Sequence, residues 1–181
     1  MKRKNIFKLI ASIVICQAAA LMGSVFTAPA IGAWYDQLNK PEWTPSGAVI
    51  GGIWTVLYLL MGAALYLVWS RNFQAAENLS GVAARAWNRV SQKLFDGAWQ
   101  RQNIIGIFSV QLILNVLWSF VFFELKMPGW AFFELLMLWA AILYTIVNFR
   151  RVSKLAAYLL APYIAWVTFA GYLNFVIWRM N

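Results

Sequence analysis

Three stretches of this sequence carry aromatic and amide side chains at helical spacing, and these side chains are the best suited to chemistry. Gln111, Asn115 and Ser119 are four residues apart and so share one face of a helix. Two further faces repeat at intervals of three and four, and they comprise Trp54, Tyr58, Met61 and Leu65 in one stretch and Tyr163, Trp166, Ala170 and Asn174 in the other. Aromatic walls with sparse polar groups suit a flat apolar ligand. The same faces could also serve only as packing between helices.

Other reactive groups are few. The chain has no histidine, which excludes histidine metal sites, histidine general bases and haem ligation by histidine. Its one cysteine, Cys16, cannot form an internal disulfide. Glu134 is the lone carboxylate inside an apolar stretch, so it either pairs within the protein or lies near hydrated headgroups. We therefore expect no metal site and no obligatory cofactor.

Five apolar stretches are long enough to position these side chains across a membrane. The chain is 62% hydrophobic and 12% charged, whereas soluble domains are about half apolar and about a quarter charged. A spanning helix needs about 20 mostly apolar residues. We predict an all-α membrane bundle with spans at 9–28, 48–69, 104–123, 129–149 and 155–178. Pro162 should kink or break the last span.

The distribution of basic residues predicts the orientation. Twelve of the 15 Lys and Arg residues lie in the N-terminal segment and in the second and fourth connections. By the positive-inside rule the N-terminus is cytoplasmic and the C-terminus lies on the opposite side. The net charge of +9 is thus better explained by the lipid bilayer than by nucleic acid. A cleaved signal peptide over the first span is a weaker interpretation.

Two connections stand out. The first, the lid loop at 29–47, contains prolines and aromatic residues that make it stiff and well suited to act as a lid on the bundle, although its composition also allows a plain interfacial connector. The second, at 70–103, is long and basic; its pattern fits an amphipathic helix on the membrane surface or a solvated loop equally well. Four tryptophans at the ends of spans are most simply interfacial anchors, namely Trp34, Trp69, Trp130 and Trp178.

At these residues the chain resembles the TspO/translocator protein family, the tryptophan-rich sensory proteins also called peripheral-type benzodiazepine receptors. The resemblance covers the lid loop and four of the five spans, in the family's order. The matching stretches are WYDQLNKPEWTP (34–45), IWTVLYLLMGAALYLVW (53–69), QLILNVLWSFVFF (111–123), PGWAFFELLMLWAAILYTI (128–146) and LLAPYIAWVTFAGYLNFVIWRMN (159–181).

The resemblance implies a five-helix bundle, commonly a homodimer and here in a bacterial membrane, that binds protoporphyrin IX, haem and similar apolar ligands. Carried over by position, the ligand site comprises Tyr35, Pro45, Trp54, Asn115, Trp118, Ser119, Trp166 and Ala170. We add Tyr58, which shares a helical face with Trp54. Some bacterial members also degrade protoporphyrin in light, and the tryptophans tied to that activity match Trp54 and Trp166. Ser46 replaces a usual second proline, and the family's sterol motif is not intact here.

We therefore expect a membrane receptor or carrier for porphyrins that could regulate tetrapyrrole or stress metabolism. One alternative is an enzyme that degrades porphyrin with light and oxygen through Trp54 and Trp166. Another is a scaffold that binds a regulatory partner through the loop at 70–103. A secondary transporter is disfavoured, since no inverted repeat or pair of broken helices is evident.

Overall fold

A computed structural model describes residues 3–70 and 97–181, and all regular structure within them is helical. The helices are α1 (Arg3–Ala33), α2 (Gly47–Trp69), α3 (Gly97–Ser119), α4 (Pro128–Val152), α5 (Lys154–Leu159) and α6 (Ala161–Met180). Five helical segments are long and apolar enough to cross a membrane, with α5 and α6 together forming the fifth. The predicted all-α bundle of five spans is confirmed.

The fifth span is interrupted, as Pro162 predicted. α5 ends at Leu159, and α6 begins at Ala161 with Pro162 in its first turn. Proline is tolerated there because the first amide groups of a helix have no intrahelical acceptor. At the junction the Leu160 amide donates to the Ala157 carbonyl at 3.2 Å.

The first helix is longer than the sequence suggested. α1 continues through Pro29 to Ala33, so residues 29–33 of the lid loop are helical and the connection itself covers 34–46. Ala30 is buried against the aromatic cluster that contains Phe122. Packing of this last turn explains why the helix does not stop at its proline, even though a proline removes one backbone hydrogen bond.

The end of α3 widens into a single π-helical turn at Phe120–Glu124. The Leu125 amide then bonds the Phe120 carbonyl at 3.0 Å, and Lys126 has a positive φ of 54°. These features turn the chain sharply into α4 at Pro128. The turn brings the end of α3 and the start of α4 together at the same end of the bundle as residues 34–46.

Packing between the helices is uneven. α2 lies along α1 and against α5 but scarcely touches α6. At Gly62 an added β-carbon would lie 2.9 Å from Ile13 Cα, so α1 and α2 meet backbone to backbone there. The open seam between α2 and α6 is the feature that positions the candidate site. The predicted surface helix or solvated loop falls largely on 71–96 and lies outside the described residues.

Candidate functional site

A chain of buried polar side chains links three spans at the centre of the bundle. The Tyr58 hydroxyl donates to Asn115 Oδ1, and Asn115 Nδ2 donates to the Tyr163 hydroxyl at 2.9 Å. That hydroxyl in turn donates to Gln111 Oε1 at 3.0 Å. All four side chains are buried, so the network fixes the rotation of α2, α3 and α6 about their axes.

Trp54 lies beside this network and is partly buried. Its ring centroid is 5.7 Å from the ring of Tyr58 and 6.2 Å from the ring of Tyr163. Trp54 of α2 therefore contacts α6 on the inner side of the open seam between the two helices. The structure thus brings together Trp54, Tyr58 and Asn115 from the sequence-predicted set.

The outer side of the same seam is a groove of about 580 Å³. Its walls are apolar: Ile53, Val56, Leu57 and Leu60 come from α2, and Pro162, Ala165, Trp166 and Phe169 come from α6. The rings of Trp166 and Phe169 lie 5.2 Å apart. The Trp166 indole nitrogen is buried and has no hydrogen-bond acceptor among the described residues. Because this nitrogen is buried, the ligand-facing side chains among the described residues are the apolar and aromatic ones.

A second aromatic group lies closer to the loop end. Trp118 stacks on Phe122 with a centroid distance of 5.2 Å, and its indole nitrogen donates to Asn174 Oδ1 at 3.1 Å. Tyr35 packs on the same Phe122 at 6.2 Å. Tyr35 and Trp118, both predicted site residues, are therefore connected through Phe122.

The remaining predicted residues lie apart from these groups. Ser119 faces α1, because a β-carbon on Gly23 would lie 3.2 Å from Ser119 Oγ. Ala170 is partly buried on α6 and packs against the main core. Pro45 is partly buried in the loop shortly before α2.

The loop at 34–46 is fastened to α6. Trp43 stacks on Tyr172 at 5.6 Å with an interplanar angle of 9°, and it contacts Phe169 edge-on at 5.9 Å. Phe169 also lines the groove, so Trp43, Phe169 and Trp166 form a continuous aromatic path from loop to groove. The loop therefore packs against the α6 wall of the groove.

The charged side chains Lys40 and Asp36 of the loop interact with each other and with neighbouring Tyr35. Lys40 Nζ donates to the Tyr35 carbonyl at 2.6 Å, lies 4.3 Å from the Tyr35 ring centroid and pairs with Asp36 at 3.8 Å. Burial, and to a smaller extent the Asp36 carboxylate, raises the pKa of the Tyr35 phenol above its ordinary value. The phenol is therefore uncharged at neutral pH.

Comparison with known proteins decides the family. The family model described as TspO/MBR family matches residues 12–179 of the chain. That range covers most of the first span, the loop between α1 and α2, the next three spans and nearly all of the fifth.

The chain belongs to the TspO/MBR family.

Relatives support the assignment across distant organisms. The chain is 36% identical over 177 residues to the tryptophan-rich protein TspO of Archaeoglobus fulgidus, covering 98% of this chain and 99% of the relative. It is 32% identical over 170 residues to protein CrtK of Rhodobacter capsulatus, covering 93% and 89%. It is 36% identical over 148 residues to the human translocator protein, covering 82% and 75%. With its five apolar helices, this TspO/MBR protein is a multi-pass membrane protein.

The structure adds three residues to the site predicted for this family member. Tyr163 is the centre of the polar network, Phe122 joins Tyr35 to Trp118, and Phe169 joins the loop to the groove. The spacing of Tyr163 three residues before Trp166 was a usable signal for it. No comparable signal in the sequence indicated that Phe122 and Phe169 belong to the site, because phenylalanine occurs at many positions of these helices.

Proposed function

We propose that this chain is a membrane receptor or carrier that binds porphyrins, such as protoporphyrin IX or haem, and similar flat apolar ligands. The ligand occupies the seam between α2 and α6, with Trp54 on the inner side and Trp166 on the outer side. The observation that carries the proposal is the apolar groove between α2 and α6, where Trp166 and Phe169 present adjacent aromatic rings.

The dimensions and chemistry of the groove support this proposal. A volume of about 580 Å³ falls within the range of about 300–1,000 Å³ typical of small-molecule pockets. The rings of Trp166 and Phe169 offer a stacking surface, and aromatic stacking adds about 0.5–1.5 kcal/mol per pair beyond area burial. The groove opens sideways, so an apolar ligand can enter from lipid.

Filling the groove tests the proposal. Val56 lines it and is 54% exposed, while Val110 on α3 is equally exposed and lies outside it. Val56→Trp should weaken protoporphyrin IX binding at least about ten-fold, since the indole would occupy the ligand's volume. Val110→Trp is the matched control and should bind as the original protein does. Equal binding by both variants would place the ligand elsewhere.

A second candidate function is porphyrin degradation driven by light and oxygen, and the position of Trp54 favours it. An indole next to a photoexcited porphyrin can donate one electron to it, and the porphyrin radical anion then reduces molecular oxygen to superoxide. Superoxide adds to the porphyrin, and the adduct returns one electron to the indole radical cation, so the net reaction adds one O2 to the porphyrin. The rings of Tyr58 and Tyr163 lie within 6.2 Å of Trp54 and could share the radical until that electron returns. Loss of protoporphyrin absorbance under illumination tests turnover; a rate no faster than in empty detergent excludes it.

We further infer that the N-terminus of the chain is cytoplasmic. Lys8 of α1 donates to the Trp69 carbonyl at the end of α2, and Arg150, Arg151 and Lys154 lie at the junction of α4 and α5, where α5 packs on α2. Basic residues thus cluster at one end of the bundle. Arg151→Cys should resist an impermeant maleimide in intact cells, whereas Glu42→Cys should react.

A further inference from the structure

Three of the four tryptophans at the span ends converge on a single cavity. Trp34 follows α1, Trp130 lies in the first turn of α4, and Trp178 lies near the end of α6. They line a cavity of about 650 Å³ together with Lys126, Phe133 and Asn181. None of these side chains belongs to the groove between α2 and α6. Scattered interfacial anchors would not be expected to enclose a common space.

The cavity is built by a close approach of two helices. A β-carbon on Gly129 would lie 2.7 Å from the Trp178 indole nitrogen, so only glycine lets the Trp178 ring lie against the start of α4. The Trp178 ring also stacks on Phe132 with a centroid distance of 6.1 Å. Trp178 is thereby held as a fixed wall, while Trp130 on the other side is 70% exposed.

The polarity of the cavity is graded along the bundle axis. Lys126 and Asn181 lie at the loop end, just outside the helices. Phe133 is five residues beyond Pro128, which places it about 7.5 Å deeper along α4. Phe133 is 52% exposed and faces the cavity with its apolar ring. A molecule in this cavity would therefore meet a cation at the aqueous edge and aromatic rings below it.

Among the described residues, Lys126 supplies the one charged side chain in the lining. Within residues 3–70 and 97–181 it makes no ion pair, whereas Lys40 of the loop pairs with Asp36. No described Asp or Glu side chain lines the cavity, since Glu124 is exposed outside it. The charge is complementary to an anion at the membrane surface.

We propose that this cavity binds an anionic phospholipid of the leaflet on the loop side. The lipid phosphate lies at Lys126, its glycerol backbone lies between Trp130 and Trp178, and an acyl chain runs past Phe133. The exposed ring of Trp130 and the position of the cavity at the helix ends favour a bilayer lipid over a soluble anion, because tryptophan concentrates at the membrane interface.

Lipid titration followed by native mass spectrometry of the full chain in detergent tests this proposal. Phosphatidylglycerol should bind more tightly than phosphatidylcholine of the same chains. Lys126→Asn should remove about a five-fold preference, as expected for one basic residue at a membrane surface. Asparagine tolerates the positive φ at this position, so the change removes charge without straining the turn. Lys126→Arg should retain the preference.

Two matched variants separate this site from general surface charge. Arg179 is an exposed cation next to Trp178 that does not line the cavity, so Arg179→Gln should change the preference less than two-fold. Phe133→Ala should weaken both lipids alike. Equal binding of the two lipids, or equal effects of Lys126→Asn and Arg179→Gln, would overturn the proposal. So would competition by water-soluble glycerol phosphate, which would indicate a soluble anion.

Discussion

Asn39 and Asn181, 142 positions apart in the sequence, hold each other by reciprocal hydrogen bonds. The backbone N–H of Asn39 donates to Asn181 Oδ1 at 2.9 Å, and Asn181 Nδ2 donates to the backbone carbonyl of Asn39 at 3.0 Å. The loop between α1 and α2 is thus bound to the end of α6. Together with the Trp43–Tyr172 stack, this pair sets where the loop lies over the bundle.

Removing the Asn181 side chain should release the loop. Asn181→Ala deletes both hydrogen bonds, each contributing about 0.5–1.5 kcal/mol. The backbone N–H of Asn39 should then exchange its hydrogen for deuterium at least about five-fold faster, because its acceptor, Asn181 Oδ1, has been removed. Asn148→Ala is the control, since Asn148 Nδ2 bonds only the Tyr144 carbonyl one turn away. Unchanged exchange at Asn39 in Asn181→Ala would show that other contacts position the loop.

The buried network should respond unequally to loss of its two tyrosine hydroxyls. Tyr163→Phe leaves both Asn115 Nδ2 and Gln111 Oε1 without partners, whereas Tyr58→Phe leaves only Asn115 Oδ1. We expect Tyr163→Phe to lower stability by about 1–3 kcal/mol, and Tyr58→Phe by about half as much. Thermal unfolding in detergent measures both, with Tyr144→Phe, which is 58% exposed, as control. The reverse order would mean that the network does not stabilise the bundle as described.

The close contact between α1 and α2 should make even an added methyl group at Gly62 destabilising. Gly62→Ala would place a β-carbon 2.9 Å from Ile13 Cα, and backbone cannot rotate away as a side chain can. We expect a loss of about 1–3 kcal/mol, the usual range for overpacking. Gly106→Ala has nothing within 4 Å of the new carbon, so it should be neutral or raise stability by up to about 1 kcal/mol. Equal melting temperatures for the two variants would contradict this packing.

The number of spans and the break near Pro162 could be predicted because both follow from local sequence. Lipid offers no partners for backbone groups, so a long apolar stretch becomes a helix. The inward face of α2 was also predictable: Tyr58, Met61 and Leu65 are all buried, at the spacing the sequence showed. These features depend on one segment at a time.

The relations between helices could not be predicted in the same way. Helices in a bilayer are apolar on their lipid side as well as on their packed side, so periodicity does not fix which face meets which neighbour. Ser119 illustrates this, since it faces Gly23 of α1 while Asn115, one turn earlier, faces Tyr58 and Tyr163. The groove also arises because α2 and α6 pack only sparsely against each other, and no sequence pattern marks such a gap.

Dark titration with protoporphyrin IX, followed by porphyrin fluorescence, tests the central claim most directly. The double variant Trp54→Phe/Trp166→Phe removes both indoles of the α2–α6 seam and keeps an aromatic ring at each position. The matched control is Trp69→Phe/Trp139→Phe, at the far end of α2 and on α4. We predict at least about ten-fold weaker binding by the first variant and unchanged binding by the second. Equal affinity in both variants and the original protein would contradict a porphyrin site in this seam.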